Sequence, residues 1–521
     1  MSWLDAAAVR RLQQEFRRSM RALLIALCRD MERHYAELAD RLGLPVDYFR
    51  FLAHTFDQST YSNWKVVGWI ESLNDLVYFL DLLAQVRHQG RQRDFVEQLF
   101  AECEVNFFES SYFEELFPGG QAQARGLEGR LQSLCIRLAF DITQESLFFD
   151  PQWALQWMRR HGRRSWSVAG RLEASFERAE QAFTVPVGIH GSALLVPSSI
   201  RRAIGGPSRP VTFVLSSDKI ALKIGRSFLP ICTRRESGMQ WHWQQREAAE
   251  AAGSPTGPLT IGPTVHYGKD RQPKALSSTK PEHITRISRA WQAIRSAWPE
   301  GYALLELLTS HVVPLNASGV VSFSYRHRPG LSFVNCFDRD NLDLIDDLMH
   351  ENSHHHLNLL LRKHVLYHHD RNQQIFYSPW RRSLRPIRGI LHAAFTFTMG
   401  ALLFARLSAW AETSDGHTQW RKSGLTARHL LKTRLRCLEE IESVRYSLHD
   451  LEFAGRHLKW ITPSGVRLVK HLEKAIIKAE RHIACHRRPV LASASGPALR
   501  RHIGELRNAR LTYGPIRPNE A

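Results

Sequence analysis

Along the first third of the chain, apolar side chains return every three to four residues. Leu12, Phe16, Met20, Leu23 and Leu27 form one such stripe, and 70–86 and 95–103 carry two more. That spacing turns one face of a helix toward a core. The pattern predicts helices from Trp3 to about Glu180, broken at Gly119-Gly120 and Asp150-Pro151. The tryptophans of this stretch, Trp64, Trp69, Trp153, Trp157 and Trp166, read as core side chains. From Phe183 the texture changes to short β-branched runs at 185–189, 193–196, 211–215 and 220–224, divided by Gly, Pro and Ser. These predict strands, and 253–258 and 268–280 read as surface loops.

Helical spacing resumes at about Glu282, through Ile284, Ile287, Trp291, Ile294 and Trp298, and again through Leu304, Leu305, Leu307 and Leu308. Two strands are expected at 320–324 and 331–334, joined by a turn at Arg328-Pro329-Gly330. Leu342, Ile345, Leu348, Met349, Leu357 and Leu360 then predict an inward face for a helix over 341–362. That helix carries His350-Glu351-Asn352-Ser353-His354, which reads HExxH. Two imidazoles one helical turn apart share a face and can converge on one metal ion, with Glu351 at their side. A merely polar, histidine-rich helix face is the competing reading. His355 and His356 point to other faces, and His364, His368 and His369 fall beyond the helix; these are read as solvated or supporting groups. A strand ahead of an HExxH helix also offers an edge along which an extended peptide can lie.

A catalytic metal needs a third protein ligand. No Asp or Glu occurs over 371–411, so the downstream candidate is His392, an isolated polar residue on an apolar helix. A hydrogen-bonded core histidine is the alternative there. Just before it, Arg381, Arg382, Arg385 and Arg388 fall within eight residues. Such a run is ordinarily a solvated loop, but between two elements meeting at a metal it suits the carboxylate of a small co-substrate. Arg381 and Arg385 are the residues expected to grip it.

The apolar stretch 389–405 stops at Arg406, short of the roughly 20 residues a bilayer requires. It reads as a buried core helix, and no membrane partner is expected. Beyond it, Leu431, Leu435, Leu438, Ile441 and Leu448 predict one helix, and Thr462-Pro463-Ser464 opens another through Leu468, Leu472 and Ile476. From Arg487 the chain is basic and rich in Ala, Ser and Pro, which reads as a partly disordered tail.

A chain of 521 residues suggests roughly three domains. The segments expected are a helical region 1–180, a strand-rich region 181–280, an HExxH core 281–412, a helical region 413–486 and a basic tail 487–521. At 43% hydrophobic and 23% charged residues the composition is globular. The net charge of +19 favours acidic partners without choosing among them. No nucleic-acid module or glycine-rich nucleotide fingerprint appears and the basic residues are spread out, so nucleic acid is not the expected partner. Seven cysteines without a CxxC pair point to a reduced, cytoplasmic protein. The apolar run 22–28, hemmed in by Arg18, Arg21, Arg29 and Asp30, does not make a signal peptide.

Taken in order, the downstream residues resemble a family. They are Asn335 after Pro329-Gly330, His350-Glu351-x-x-His354 with Leu357-Asn358-Leu359-Leu360, Tyr377-x-Pro379-Trp380-Arg381, Arg385-Pro386, Gly389 and His392. Together they resemble the bacterial HExxH proteins of peptide natural-product clusters, some of which are 2-oxoglutarate-dependent peptide β-hydroxylases. The resemblance spans about 282–406. It implies Fe(II) held by His350, His354 and a downstream residue, 2-oxoglutarate on the iron, and O2 as oxidant for the β-carbon of a residue in a ribosomally made precursor peptide. The usual iron triad contains a carboxylate, so Glu351 stands beside His392 as a candidate to complete it. The fold class expected is α+β, mainly helical, with a small mixed sheet next to the HExxH helix in a zincin-like helix-strand arrangement. The alternative activity is a zinc metallopeptidase with Glu351 as general base. A basic scaffold with incidental histidines is the third reading.

Overall fold

The computed structural model describes residues 5–107, 111–149, 157, 160, 262, 280–368 and 373–514, together with the strands named below between 165 and 276. The chain is α+β and mainly helical, and it divides into two compact units. One comprises residues 17–248 and 263–278; the other comprises 1–16, 249–262 and 279–521.

The first unit opens on helices Ala36–Leu42, Val46–Thr55, Trp64–Gln89, Arg93–Phe107, Ser111–Leu116 and Leu127–Phe149. Trp64–Gln89 packs against Leu127–Phe149, and its buried Trp69 stacks on Phe49 with ring centres 5.7 Å apart. A seven-stranded antiparallel sheet follows in sequence order: Ser165–Val168, Leu172–Glu177, Ala182–Pro186, Pro210–Leu215, Lys219–Ile224, Ser227–Arg234 and Trp241–Trp243. The first two strands fall where the sequence predicts helix. Trp166 and Val168, then Leu172, Ala174 and Phe176, alternate with polar residues, a period of two that suits a half-buried strand. The expected loop at 268–280 is also partly strand, because Pro273–Leu276 pairs with Val265–Tyr267. The expected features at 193–196, 253–258, Trp153 and His369 lie outside the described residues.

The second unit holds a mixed five-stranded sheet. Its order is Phe323–Ser324, Leu331–Asn335, His311–Leu315, Leu259–Ile261 and Ala249–Ala251. His311–Leu315 runs parallel to Leu331–Asn335, pairing His311 with Leu331 and Leu315 with Asn335. Phe323–Ser324 is antiparallel at the edge. This strand is shorter than the sequence suggests because the buried Asn335 side chain claims the preceding backbone. Its Nδ2 donates to the carbonyls of Ala317 at 2.8 Å and Val320 at 2.6 Å, and its Oδ1 accepts from Ala317 N–H. Gly330 closes the turn at φ +91°, and a Cβ there would come within 3.0 Å of Ser310 Oγ. Only glycine fits that conformation without strain.

Helices Pro281–Ala297 and Pro299–Leu308 precede the HExxH helix, Asn341–Lys363. The apolar helix Ile387–Ala411 lies against the HExxH helix, against the long helix Ala427–Arg456 and against Pro463–Ile483. Ile390, Leu391, Phe395, Leu403 and Phe404 on it are fully buried, each contributing about 1.5–3 kcal/mol of burial. It is the one helix among the described residues long and apolar enough to cross a membrane, and 72% of its most apolar window is buried within the protein. The stretch after Arg487 is not a loose tail up to Tyr513. Helices Arg487–Ala492 and Gly496–Tyr513 bury Val490, Leu499, Leu506 and Ala509. Arg510 bonds to Asp450 and to the carbonyl of Tyr446. These widely spaced apolar residues supply an inward face despite the basic composition.

Candidate metal centre

The HExxH helix is held at both ends of its motif. At its start, Asp340 caps the helix by accepting from Asp343 N–H at 2.9 Å, and Asp343 returns the bond to Asp340 N–H. Lys432 and Arg436 of the long helix then pair with Asp340, Asp343 and Asp346 at 2.7–3.4 Å. On the sheet side, Gly330 N–H donates to His355 Nδ1 at 3.4 Å, which leaves His355 Nε2–H to donate to Ser332 Oγ at 3.1 Å. Thr309 donates to Asn352 Oδ1 at 2.9 Å. These contacts set the helix rotation, and so decide which face His350 and His354 present.

On that other face, the rings of His350 and His354 stand 4.9 Å apart. Two imidazoles sharing one ion through bonds of about 2.0–2.1 Å hold their ring centres about 5 Å apart. Nitrogens of His350 and His354 and a carboxylate oxygen of Glu351 all lie within 4.8 Å of one another. Glu351 is buried, and its Oε2 has no hydrogen-bond partner. Two histidines and a buried carboxylate oxygen without a partner fit a divalent transition metal. Burial pushes the Glu351 carboxyl up to about 8, tempered by the neighbouring Ser324 hydroxyl of the edge strand.

His392 approaches from the apolar helix, its ring 6.5 Å from that of His354. It neighbours the group but stands outside the closest set. Burial holds all three imidazoles neutral, lowering His350 to about 4 and His354 and His392 to about 3. A neutral imidazole is the form that binds metal.

Arginines act on two of the histidines. The charges of Arg436 and Arg381 depress His350 further, and those of Arg388 and Arg326 act on His392 after its neighbour His354. Arg381 has no carboxylate partner among the described residues. Arg381 and Arg385, the two expected anion-gripping residues, are both exposed, and the Arg385 stem lies beside Gly389. Arg388 belongs to the same run and lies four residues before His392, a spacing that places the two on one helix face; the sequence reading passed over it. Arg326, on the hairpin turn, leaves no comparable signal in sequence.

The turn bearing Arg381 is anchored by Trp380. Its ring stacks on Phe397 at 4.2 Å and 6°, its Nε1–H donates to Glu440 at 2.8 Å, and Phe397 in turn lies 5.2 Å from the His350 ring. Burial raises the Glu440 carboxyl to about 8. A scan of family models and a search of curated proteins return no match to this chain.

Proposed function

We propose that this protein is a metal-dependent oxygenase that binds Fe(II) and 2-oxoglutarate and hydroxylates the β-carbon of a residue in a ribosomally made peptide. One observation carries the reading: His350, His354 and Glu351 converge within 4.8 Å, and the charges of Arg381, Arg436, Arg388 and Arg326 act on the neighbouring histidines. Two histidines and a carboxylate with open positions are the donor set of non-haem iron oxygenases. The iron and its co-substrate supply the oxidising chemistry when bound.

In this reading His350 and His354 hold the metal, and Glu351 or His392 completes the set. Arg381, with Arg385 further out, takes the distal carboxylate of 2-oxoglutarate as a charge-assisted fork. Trp380 and Glu440 fix the turn so that the guanidinium is pre-positioned. The edge strand Phe323–Ser324, beside Glu351, would serve as the strand of a zincin-like arrangement along which an extended peptide pairs. The described cysteines are free thiols, which supports a reducing cytoplasmic compartment.

A second reading, zinc peptidase, is favoured by the partnerless Glu351 Oε2 beside the two histidines, where the carboxylate can take a proton from water. Anaerobic addition of Fe(II) and 2-oxoglutarate separates the two. A weak visible charge-transfer band that needs both additions supports the oxygenase. Zinc-dependent cleavage of a peptide without co-substrate would sink it.

A further inference from the structure

Away from the metal centre, the long helix Ala427–Arg456 and the helix Pro463–Ile483 form an antiparallel pair with a groove of about 620 Å³ along it. At the closed end Gly455 lets the pair approach; a Cβ there would lie 3.4 Å from the Val466 side chain. The floor is apolar: Leu448, Leu451 and Ile476 are buried, Val466 and Val469 are half-buried, and Ile477 is 37% exposed.

Arg445, Arg456, Lys459 and Lys470 line the groove with Glu452 and Glu473, Arg456 pairing with Glu452, and a basic row that includes Lys470 runs along the flank of one helix. Pro463–Ile483 carries five lysines and arginines against two glutamates. Arg467, Lys470, Lys474, Lys478 and Arg481 recur at three- and four-residue steps, which sets them in one row along the helix. None of the five has a carboxylate partner among the described residues. At the loop joining the helices, Lys459 lines the groove with φ at +60°, a left-handed conformation uncommon for a residue with a side chain.

We infer that this groove docks an acidic amphipathic helix of a partner polypeptide, its apolar face on Val466, Val469 and Ile477 and its carboxylates on the lysine and arginine row. A recessed trough between two helices matches the cylinder of a third helix, whereas a lipid surface would need a convex or flat basic face. The inference does not depend on the metal chemistry.

The test uses the full-length protein and a fluorescein-labelled peptide of about four helical turns, leucine on one face and glutamate on its flanks. The expected result is saturable anisotropy that weakens with added salt. Affinity should fall about tenfold or more in the Lys470→Glu/Lys474→Glu double variant, with helicity by circular dichroism unchanged. Ile477→Asp, at an exposed position, should weaken it independently. A lysine-for-glutamate peptide that binds as tightly, or binding untouched by both variants, overturns the proposal. So does tighter binding to phosphatidylserine–phosphatidylcholine vesicles than to the peptide, or sedimentation showing self-association that the same variants abolish.

Discussion

Two faces of one helix put their histidines to opposite uses. On the sheet-facing side, His355 is buried with both ring nitrogens engaged, one by Gly330 and one by Ser332. On the other side, no hydrogen bond among the described residues reaches the ring of His350 or His354. Both faces depress the histidines by burial, with His355 and His354 each at about 3. Protonation therefore does not distinguish a structural histidine from a candidate ligand here. The distinguishing property is whether the nitrogen lone pairs already have a partner.

The largest effect that can break this contrast is on metal affinity. His350→Ala or His354→Ala is expected to weaken Fe(II) or Zn(II) binding by at least about a hundredfold in titration calorimetry, while His355→Ala stays within about tenfold of the parent. His392→Ala is expected to abolish metal-dependent turnover, and full activity in that variant would remove His392 from the ligand set. Next comes stability: His355→Ala leaves Gly330 N–H and Ser332 without a partner, and should lower the unfolding free energy by about 1–3 kcal/mol in urea. Equal metal loss in all three helix variants would dissolve the two-face distinction.

What was legible in sequence follows the same line. The HExxH spacing, the helix that carries it and the isolated His392 are local patterns, and period 3.6 reads them directly. The partners are not local. Trp380 meets Glu440 across 60 residues, and Arg436 reaches Asp346 across 90. Helical spacing put His355 on a different face from His354, but its partners were not legible locally, because Gly330 and Ser332 lie on another element. The C-terminal helix was obscured by composition, since Val490, Leu499, Leu506 and Ala509 are sparse among basic, alanine and serine residues. The strands at 165–177 were obscured by their shortness.

A pH experiment sharpens the comparison by isolating the acid that supports the metal face. The Glu440 carboxyl, raised by burial to about 8 from an unfolded value near 4.5, adds stability that is full below about pH 4.5 and is lost as pH rises through 8. The histidines act in the opposite sense, but only below their unfolded value of about 6.5. Between about pH 6.5 and 8 the buried carboxyls therefore dominate the slope. Metal-free wild type should lose about 1–2 kcal/mol more than Glu440→Gln across that window in urea unfolding. Parallel slopes would mean that Glu440 is already ionised against Arg436.

The smallest effect separates two arginines of one hairpin. Arg381 acts on His350, lies next to the anchored Trp380 and has no carboxylate of its own. Arg385 is equally exposed, its stem laid beside Gly389, but it has no such anchor and is not among the charges acting on the three histidines. A fork that is pre-positioned loses less side-chain entropy on gripping a carboxylate. Arg381→Ala should raise the KM for 2-oxoglutarate about tenfold while leaving the KM for peptide unchanged. Arg385→Ala should raise it less than about threefold. If the order is reversed, the co-substrate lies on the outer side of the hairpin, and the field of Arg381 at His350 serves only to keep that imidazole unprotonated and ready for the metal.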